Sequence, residues 1–220
     1  MVHLPQIVYL QTMTACNGHC GYCPFDDVYE GEPVKRMTRT VYKAIIEWLK
    51  SQDYQGRIGF LLHYEPTLDT RLGEWRAYAR EELPGVSLEV ATNGIIDSPV
   101  LKQFDRVDCV PAGSLQNATS RAGNCKATPE TTQGKRLLEP PCTLPIHTMC
   151  IAVNGDASLC CQDWRHESIV GTYRDLTAAR NSQLHYAEKV KSQELEICQD
   201  CISGKTAEEI GDRLGVRSLS

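Results

Sequence analysis

Eleven cysteines in a 220-residue chain are the feature that most constrains what this sequence can fold into. An odd number of thiols argues against a disulfide framework, and no basic segment followed by an apolar one opens the chain, so the sequence predicts a cytoplasmic protein. The thiols then serve either as metal ligands or as small buried hydrophobes. Three groups are spaced like metal ligands: Cys16–Cys23, Cys142–Cys161 and Cys198–Cys201.

The composition excludes several classes of protein. Hydrophobic residues make up 41% of the chain and charged residues 23%, which is an ordinary globular balance. No apolar stretch approaches the ~20 residues that a spanning helix needs, so we expect no membrane partner. The formal net charge of −5 gives no electrostatic case for wrapping duplex DNA, although a nucleotide remains open as a substrate.

The first cysteine group has the spacing C-x3-C-x2-C, formed by Cys16, Cys20 and Cys23. Three thiolates on a tight loop can hold three irons of a 4Fe–4S cluster, which leaves the fourth iron open for a small molecule to chelate. A zinc site with His19 as the fourth ligand is the alternative that the spacing leaves open. The loop directly follows a predicted strand, a position that favours the iron cluster because active sites lie at such strand ends.

Strand and helix patterns alternate over the first half of the chain. The predicted strands are Ile7–Thr12, Ile58–Leu62, Val86–Ala91 and Val107–Ala112, and the predicted helices are Thr40–Ser51, Leu72–Leu83 and a short one after the Ser98 cap and Pro99. This alternation predicts a parallel sheet. Further along, Asn154-Gly155 predicts a hairpin between Cys150 and Cys160, and a helix is predicted from Leu176 to Gln193.

C-x3-C-x-aromatic-C after the first strand resembles the signature of radical S-adenosylmethionine (SAM) enzymes, and the resemblance covers nearly the whole chain. It implies that the open iron binds the amino and carboxylate groups of SAM. An external one-electron reductant of the flavodoxin or ferredoxin type would reduce the cluster. Transfer of that electron to the sulfonium would give a 5′-deoxyadenosyl radical, which abstracts hydrogen from a substrate.

Further segments resemble SAM-binding segments of that family. His63-Tyr64-Glu65-Pro66 stands where the family has Gly-Gly-Glu-Pro, so both glycines are replaced here. Ala91-Thr92-Asn93-Gly94 resembles a turn close to SAM, and Tyr22 resembles an aromatic residue near the adenine. The residues that the resemblance implies at the SAM site are Tyr22, Tyr64, Glu65, Asn93, Ser114 and Gln116.

The remaining ligand-like cysteines resemble the twitch module of radical SAM enzymes, a shortened SPASM domain that binds one auxiliary 4Fe–4S cluster. The pattern is Cys142-x12-Gly155-x4-Cys160, followed by Cys198-x2-Cys201. These four cysteines would coordinate every iron, so the resemblance implies two 4Fe–4S clusters in all, the second suited to electron transfer. A structural zinc site is the alternative. The cysteines then expected to be non-ligands are Cys109, Cys125, Cys150 and Cys161, although Cys150 or Cys161 could replace an auxiliary ligand.

We therefore expect an α/β fold: a partial, open parallel β/α barrel plus a small C-terminal hairpin-and-helix Fe–S domain. The expected boundaries are 1–135 for the barrel core, 136–204 for the auxiliary cluster domain and 205–220 for a C-terminal helix or tail. Because a complete eight-unit barrel takes ~250 residues, only about five core strands fit. The polar segment 113–133 is expected to be a loop that covers the site.

Within the family, the chain resembles dehydrogenases of the 2-deoxy-scyllo-inosamine type, in Tyr54–Ile58, in Glu65-Pro66 and in the gap between Cys142 and Cys160. The resemblance implies oxidation of a small hydroxyl-bearing metabolite, an aminocyclitol or a sugar. The alternatives are modification, rearrangement or epimerisation of a peptide or of a nucleotide in a nucleic acid, and a non-enzymatic zinc module. Candidate proton acceptors, by location only and with no assignment, are His63, Tyr64, Arg121 and Asp163.

Overall fold

The computed structural model describes residues 2–20, 23, 25–110, 144–161 and 163–191. The strands in these ranges are β1 (Ile7–Leu10), β2 (Arg57–Phe60), β3 (Ser87–Thr92), β4 (Arg106–Cys109), β5 (Thr148–Ile151), β6 (Asp156–Ser158) and β7 (Ile169–Thr172). The α-helices are α1 (Phe25–Tyr29), α2 (Arg39–Ser51), α3 (Leu72–Glu82), α4 (Leu144–His147) and α5 (Leu176–Lys191). Single 3₁₀ turns cover Pro66–Leu68, Pro99–Gln103 and Tyr173–Asp175.

All of these strands belong to one seven-stranded sheet in the order β4-β3-β2-β1-β5-β6-β7. The five strands from β4 to β5 run parallel, and β6 and β7 are antiparallel to their neighbours. The described sheet is open, with β4 at one edge and β7 at the other. The predicted open α/β fold is therefore confirmed, and each predicted core strand lies within a few residues of its observed position. Four of the five parallel strands fall in the predicted core, and the fifth, β5, falls in the segment predicted to form the C-terminal hairpin.

One face of the sheet packs against helices because alternate strand residues there are apolar. Val8 and Leu10 of β1 and Ile58 and Phe60 of β2 are fully buried in the hydrophobic core. Helix α2 begins where the Thr38 side chain accepts a hydrogen bond from the backbone N–H of Val41, at 3.2 Å. The helix buries five residues toward this core: Val41, Tyr42, Ile45, Ile46 and Leu49.

The opposite face of the sheet is more polar. Tyr9, Arg57, Glu89 and Cys150 alternate with the core residues along their strands. The Arg57 guanidinium lies 3.4 Å from the Glu89 carboxylate across β2 and β3. Burial, with smaller effects from neighbouring thiols, raises the pKa of Tyr9 to about 12. This face therefore carries polar groups, although Glu89 and Cys150 are buried.

The C-terminal hairpin continues the core sheet. Its turn at Asn154-Gly155 forms as predicted, and β5 pairs in parallel with β1, with Tyr9 opposite Cys150. The hydrogen-bonded sheet therefore runs across the predicted domain boundary near residue 135. Helix α5 is fixed to this region by the buried Arg180, which donates to the carbonyl oxygens of His3, Pro145 and Ile146.

Two local features of the described residues differ from the expectations. The short helix predicted after Ser98 is a 3₁₀ turn, and the Ser98 side chain makes no capping bond to it. Strand β7 was not predicted. The predicted loop at 113–133, the tail at 205–220 and the end of the last helix at Gln193 lie outside the described residues. No helix in the described ranges is both long and apolar enough to cross a bilayer.

Candidate active site

The carboxyl ends of β1, β2 and β3 lie together because the three strands are parallel neighbours. They form the carboxyl edge of the sheet, which runs across the strands. The segments that follow them are 11–20 after β1, 61–65 after β2 and the Asn93-Gly94 turn after β3. In open parallel sheets, ligands bind at this edge. The segments carry most of the predicted site residues that fall within the described ranges.

The cysteine loop lies at this edge. Cys16, Cys20 and Cys23 are all half-buried, and the backbone N–H of Cys23 donates to the carbonyl oxygen of Cys20 at 2.9 Å. The backbone N–H of Gly18 points to the Cys16 sulfur at 3.4 Å, a contact that favours a thiolate. Burial raises the pKa of the Cys16 thiol in the protein without metal. Three thiols on one short, partly exposed loop are a donor set that fits a 4Fe–4S cluster with one open iron.

The geometry of His19 does not support the zinc alternative. Its ring nitrogen Nδ1 lies 3.1 Å from the Asp26 carboxylate, and its side chain is 81% exposed. His19 therefore lies where it would pair with α1 rather than complete a tetrahedral site with the three cysteines.

Glu65 joins the three segments through hydrogen bonds. Its backbone N–H donates to the carbonyl oxygen of Ala15 on the cysteine loop at 2.9 Å. Its carboxylate accepts from Thr67, from the Thr92 hydroxyl at 2.8 Å and from the Asn93 backbone N–H at 2.7 Å. The side chain is buried, so these contacts satisfy a charge that would otherwise be costly. The structure thus gives Glu65 a role in fixing the site's framework.

Asn93 holds the cysteine loop from the other side. Its amide nitrogen donates to the side-chain oxygen of Asn17 at 2.8 Å and lies 3.9 Å from the Cys16 sulfur. The tight turn that follows needs a glycine, because Gly94 has a φ of +73° and a Cβ there would lie 2.7 Å from the Cys109 sulfur. The predicted site residues Glu65 and Asn93 are therefore brought together with Cys16.

His63 and Tyr64, the residues in place of the family's two glycines, are both buried. The preceding residue, Leu62, has a φ of +126°, a strained conformation that costs about 1–3 kcal/mol for a side chain of this kind. Burial raises the pKa of Tyr64, whose hydroxyl lies beside Thr12. The strained turn directs His63 toward the loop that follows β6.

That second loop, residues 159–168, carries Cys160 and will be called the Cys160 loop. His63 contacts it twice: the ring nitrogen Nε2 lies 3.1 Å from the carbonyl oxygen of Cys161, and the ring stacks on Trp164 with centroids 3.8 Å apart. Asp163, a candidate proton acceptor by location, accepts hydrogen bonds from the backbone N–H groups of Glu167 and Ser168 and from the Ser168 hydroxyl. Its carboxylate therefore shapes the loop.

Cys150, an expected non-ligand, is buried beneath this loop with only 1% of its surface exposed. A hydrogen bond with the Cys161 thiol and burial raise the pKa of Cys150 well above that of an ordinary thiol. Cys109 is exposed near the end of β4. Several predicted residues lie outside the described ranges: Tyr22, Ser114, Gln116, Arg121, Cys125, Cys142, Cys198 and Cys201.

Two site residues were missed from the sequence. Gln11, at the end of β1, is fully buried and donates to the Tyr29 hydroxyl at 3.2 Å and to the carbonyl oxygen of His63 at 3.1 Å. In the sequence, a polar residue directly after an apolar strand was the signal that could have identified Gln11. The sequence around Tyr29 gives no such signal, because the contact of Tyr29 depends on how α1 folds back on the strand end.

Comparison with known proteins identifies the class. Residues 10–132, more than half of the chain, match the family model of the radical SAM superfamily. The chain therefore belongs to the radical SAM superfamily. The matched region includes the cysteine loop, Glu65 and Asn93. The three-thiol donor set of that loop fits the 4Fe–4S cluster that the family implies, with one iron left open for SAM.

One relative of known activity is similar in sequence to part of the chain. The chain is 31% identical over 94 residues to the S-adenosyl-L-methionine-dependent 2-deoxy-scyllo-inosamine dehydrogenase of Niallia circulans. That match covers 43% of this chain and 37% of the relative, so it spans little more than a third of the relative's length.

Solved structures share the fold over nearly the whole chain. The crystal structure of BtrN in complex with AdoMet and 2-DOIA superposes with a TM-score of 0.73 and 18% identity, covering 95% of this chain and 97% of that one. A structure of BtrN in an OPEN conformation gives a TM-score of 0.70, with 20% identity and coverage of 95% and 98%. At these identities the likeness establishes the fold.

Proposed function

We propose that this protein is a dehydrogenase that oxidises a hydroxyl group of a small polar metabolite, an aminocyclitol or a related sugar. The sequence similarity to a 2-deoxy-scyllo-inosamine dehydrogenase supports this substrate class. The fold shared with BtrN is compatible with it. In such an oxidation one hydrogen leaves to the 5′-deoxyadenosyl radical and the second leaves as a proton and an electron.

The proposal includes an auxiliary 4Fe–4S cluster held by Cys142, Cys160, Cys198 and Cys201, which accepts that second electron. The contact between His63 and the Cys160 loop is the single observation that carries this part. Cys160 lies next to Cys161, whose carbonyl oxygen meets His63 at the end of β2. A cluster bound through Cys160 would therefore lie beside the SAM-side segments, within electron-transfer reach of a substrate between them.

The remaining site assignments are part of the same proposal. Cys16, Cys20 and Cys23 hold the first cluster, and an external reductant of the flavodoxin or ferredoxin type supplies its electron. The proposed residues around SAM are Tyr22, Tyr64, Glu65, Asn93, Ser114 and Gln116. Within this set, the contacts of Glu65 and Asn93 with the cysteine loop support a shared site.

The test is a deuterium-transfer experiment on the anaerobically reconstituted protein. The substrate is 2-deoxy-scyllo-inosamine, deuterated at the carbinol carbons, with SAM and dithionite. We expect a product two hydrogens lighter, one 5′-deoxyadenosine per product, and one deuterium moved irreversibly into the 5′-deoxyadenosine. The variant in which Cys16, Cys20 and Cys23 are all replaced by Ala is the matched control, and it should form no 5′-deoxyadenosine.

Two outcomes contradict the proposal. A product isomeric with its substrate would indicate a rearrangement or an epimerisation instead of an oxidation. Turnover of a peptide or of a nucleotide in a nucleic acid, with none of aminocyclitols or sugars, would replace the proposed substrate class. Neither outcome changes the membership in the radical SAM superfamily.

A further inference from the structure

The side chain of Gln11 has a buried polar atom that the framework of the site does not use. Gln11 is 0% exposed, and its amide nitrogen donates both to the Tyr29 hydroxyl and to the carbonyl oxygen of His63. The amide oxygen Oε1 is also buried and has no hydrogen-bond partner among the described residues. Folded proteins rarely leave a buried acceptor in this condition, so the exception requires an explanation.

Tyr29 supplies the complementary group. Because its hydroxyl oxygen accepts the hydrogen bond from Gln11, the hydroxyl hydrogen can be donated to a further group. The acceptor, Gln11 Oε1, therefore belongs to the same amide group whose nitrogen contacts the donor, the Tyr29 hydroxyl. An alcohol donates one hydrogen bond and accepts others, so a ligand hydroxyl matches this pair, whereas an ammonium group can only donate and a carboxylate can only accept.

The position of the pair indicates which ligand it meets. Tyr29 lies on α1, which follows the cysteine loop directly, and Gln11 contacts His63, whose ring packs against the Cys160 loop. The Asp163 carboxylate on that loop is near enough to add to the effect of burial in raising the pKa of Tyr29. The pair therefore lies between the cysteine loop and the Cys160 loop, where a molecule reacting between the two would be held.

We propose that Gln11 Oε1 and the Tyr29 hydroxyl form a subsite that binds one hydroxyl group of the substrate. This inference rests on the proposed function, because it assigns a specificity contact to the same site. The ribose of SAM also carries hydroxyl groups, so the experiment must separate the two sources. The substrate is favoured because the pair is bounded by both loops and not by the cysteine loop alone.

The experiment measures binding to the reconstituted holoenzyme by calorimetry, first for SAM and then for 2-deoxy-scyllo-inosamine in the presence of SAM. Tyr29→Phe removes the donor without changing the shape of the ring, and Gln11→Leu removes the acceptor. Each variant should raise the Kd of 2-deoxy-scyllo-inosamine about tenfold, because the remaining partner is left unpaired. Analogues of the probe that each lack one hydroxyl group complete the set.

One of these analogues should bind the unaltered protein about tenfold more weakly than the probe does. Its Kd should not rise further in either variant, because the analogue already lacks the hydroxyl group that makes the contact. Tyr54→Phe is the matched control. It also removes a buried tyrosine hydroxyl, but at the amino end of β2, where that hydroxyl donates to the carbonyl oxygen of Arg57. Its Kd for the probe should equal that of the unaltered protein.

The outcomes separate this inference from the proposed function. An unchanged Kd of the probe in both Tyr29→Phe and Gln11→Leu overturns the subsite and leaves the proposed substrate class standing. A raised Kd for SAM with an unchanged Kd for the probe assigns the pair to the ribose and also overturns it. If the unaltered protein binds neither the probe nor its analogues, both the proposed substrate class and the proposed subsite are contradicted. Should Gln11→Leu not fold, the isosteric Tyr29→Phe decides.

Discussion

At the scale of single residues, Glu65 shows how one side chain can hold a site together. A carboxylate accepts hydrogen bonds at both oxygens, and here its donors come from the segment after β2, from the last residue of β3 and from the turn that follows β3. Its own backbone N–H reaches the cysteine loop. Because the side chain is buried, each lost contact leaves a donor without water to replace it.

The variant Glu65→Gln tests this role. The amide nitrogen replaces one acceptor oxygen and so faces an N–H or O–H donor, which should cost about 2 kcal/mol of unfolding free energy. The thermal midpoint should fall by about 6 °C. Glu74→Gln is the control, since Glu74 pairs with Arg39 at the surface with a side chain that is 57% exposed. Equal falls in the two variants would contradict the role of Glu65.

The cysteines differ in the reactivity that their surroundings allow. Cys109 is exposed, whereas Cys150 is buried and the pKa of its thiol is raised well above the ordinary value, by the Cys161 hydrogen bond and by burial. A raised pKa lowers the thiolate fraction at pH 8, and the thiolate is the form that reacts.

Treatment of the folded protein with iodoacetamide at pH 8 should therefore alkylate Cys109 and spare Cys150. Peptide mass spectrometry measures this, and protein unfolded in guanidinium should be alkylated at both. Alkylation of Cys150 at the rate of Cys109 would show that the thiol is accessible.

At the scale of elements, the sequence predicted those structures whose signals are local. Helix α2 was predicted because its buried residues recur with the helical period, and the hairpin because Asn154-Gly155 favours a tight turn. Strand β7 was missed because its four residues are half-buried or exposed at the sheet edge and show no alternation. The pairing of β5 with β1 also could not be predicted, because it joins segments that local patterns do not relate.

The hairpin turn offers a test at this scale. Gly155 has a φ of +88°, and a Cβ there would overlap the ring of Tyr173 and lie 3.0 Å from Val41. Gly155→Ala should therefore cost about 3 kcal/mol, the sum of left-handed backbone strain and overpacking. Gly31→Ala is the control, because Gly31 has a φ of +77° but a Cβ at that position would meet no atom within 4 Å. Its cost should be the strain alone, about 1 kcal/mol. Chemical unfolding of both variants measures the difference, and equal costs would mean that the ring of Tyr173 moves aside.

At the scale of the whole molecule, the sheet brings the cysteine loop, the end of β2 and the Cys160 loop to one place. The motif residues of this site were predictable, because Cys16, Glu65 and Asn93 stand in recognisable local patterns. The contact of His63 with the Cys160 loop was not, because it joins residues 98 positions apart. A role for Gln11 in the site likewise could be inferred only once the hydrogen-bond partners of its amide group were known.

The iron content tests the proposed organisation of the molecule as a whole. If the cysteine loop and the auxiliary set each hold a cubane cluster, anaerobic reconstitution should give about eight irons per chain. Replacing Cys16, Cys20 and Cys23 with Ala should remove about half of the iron and abolish SAM cleavage, since only the three-thiol site leaves an iron open. Replacing Cys142 and Cys160 with Ala should remove the other half and abolish substrate oxidation while SAM cleavage continues. Iron analysis and the yield of 5′-deoxyadenosine measure the two effects separately.

About four irons in the unaltered protein, all lost with the first set of cysteines, would mean that the second electron leaves by a route other than an auxiliary cluster. One or two zinc ions with little iron would contradict both cluster assignments.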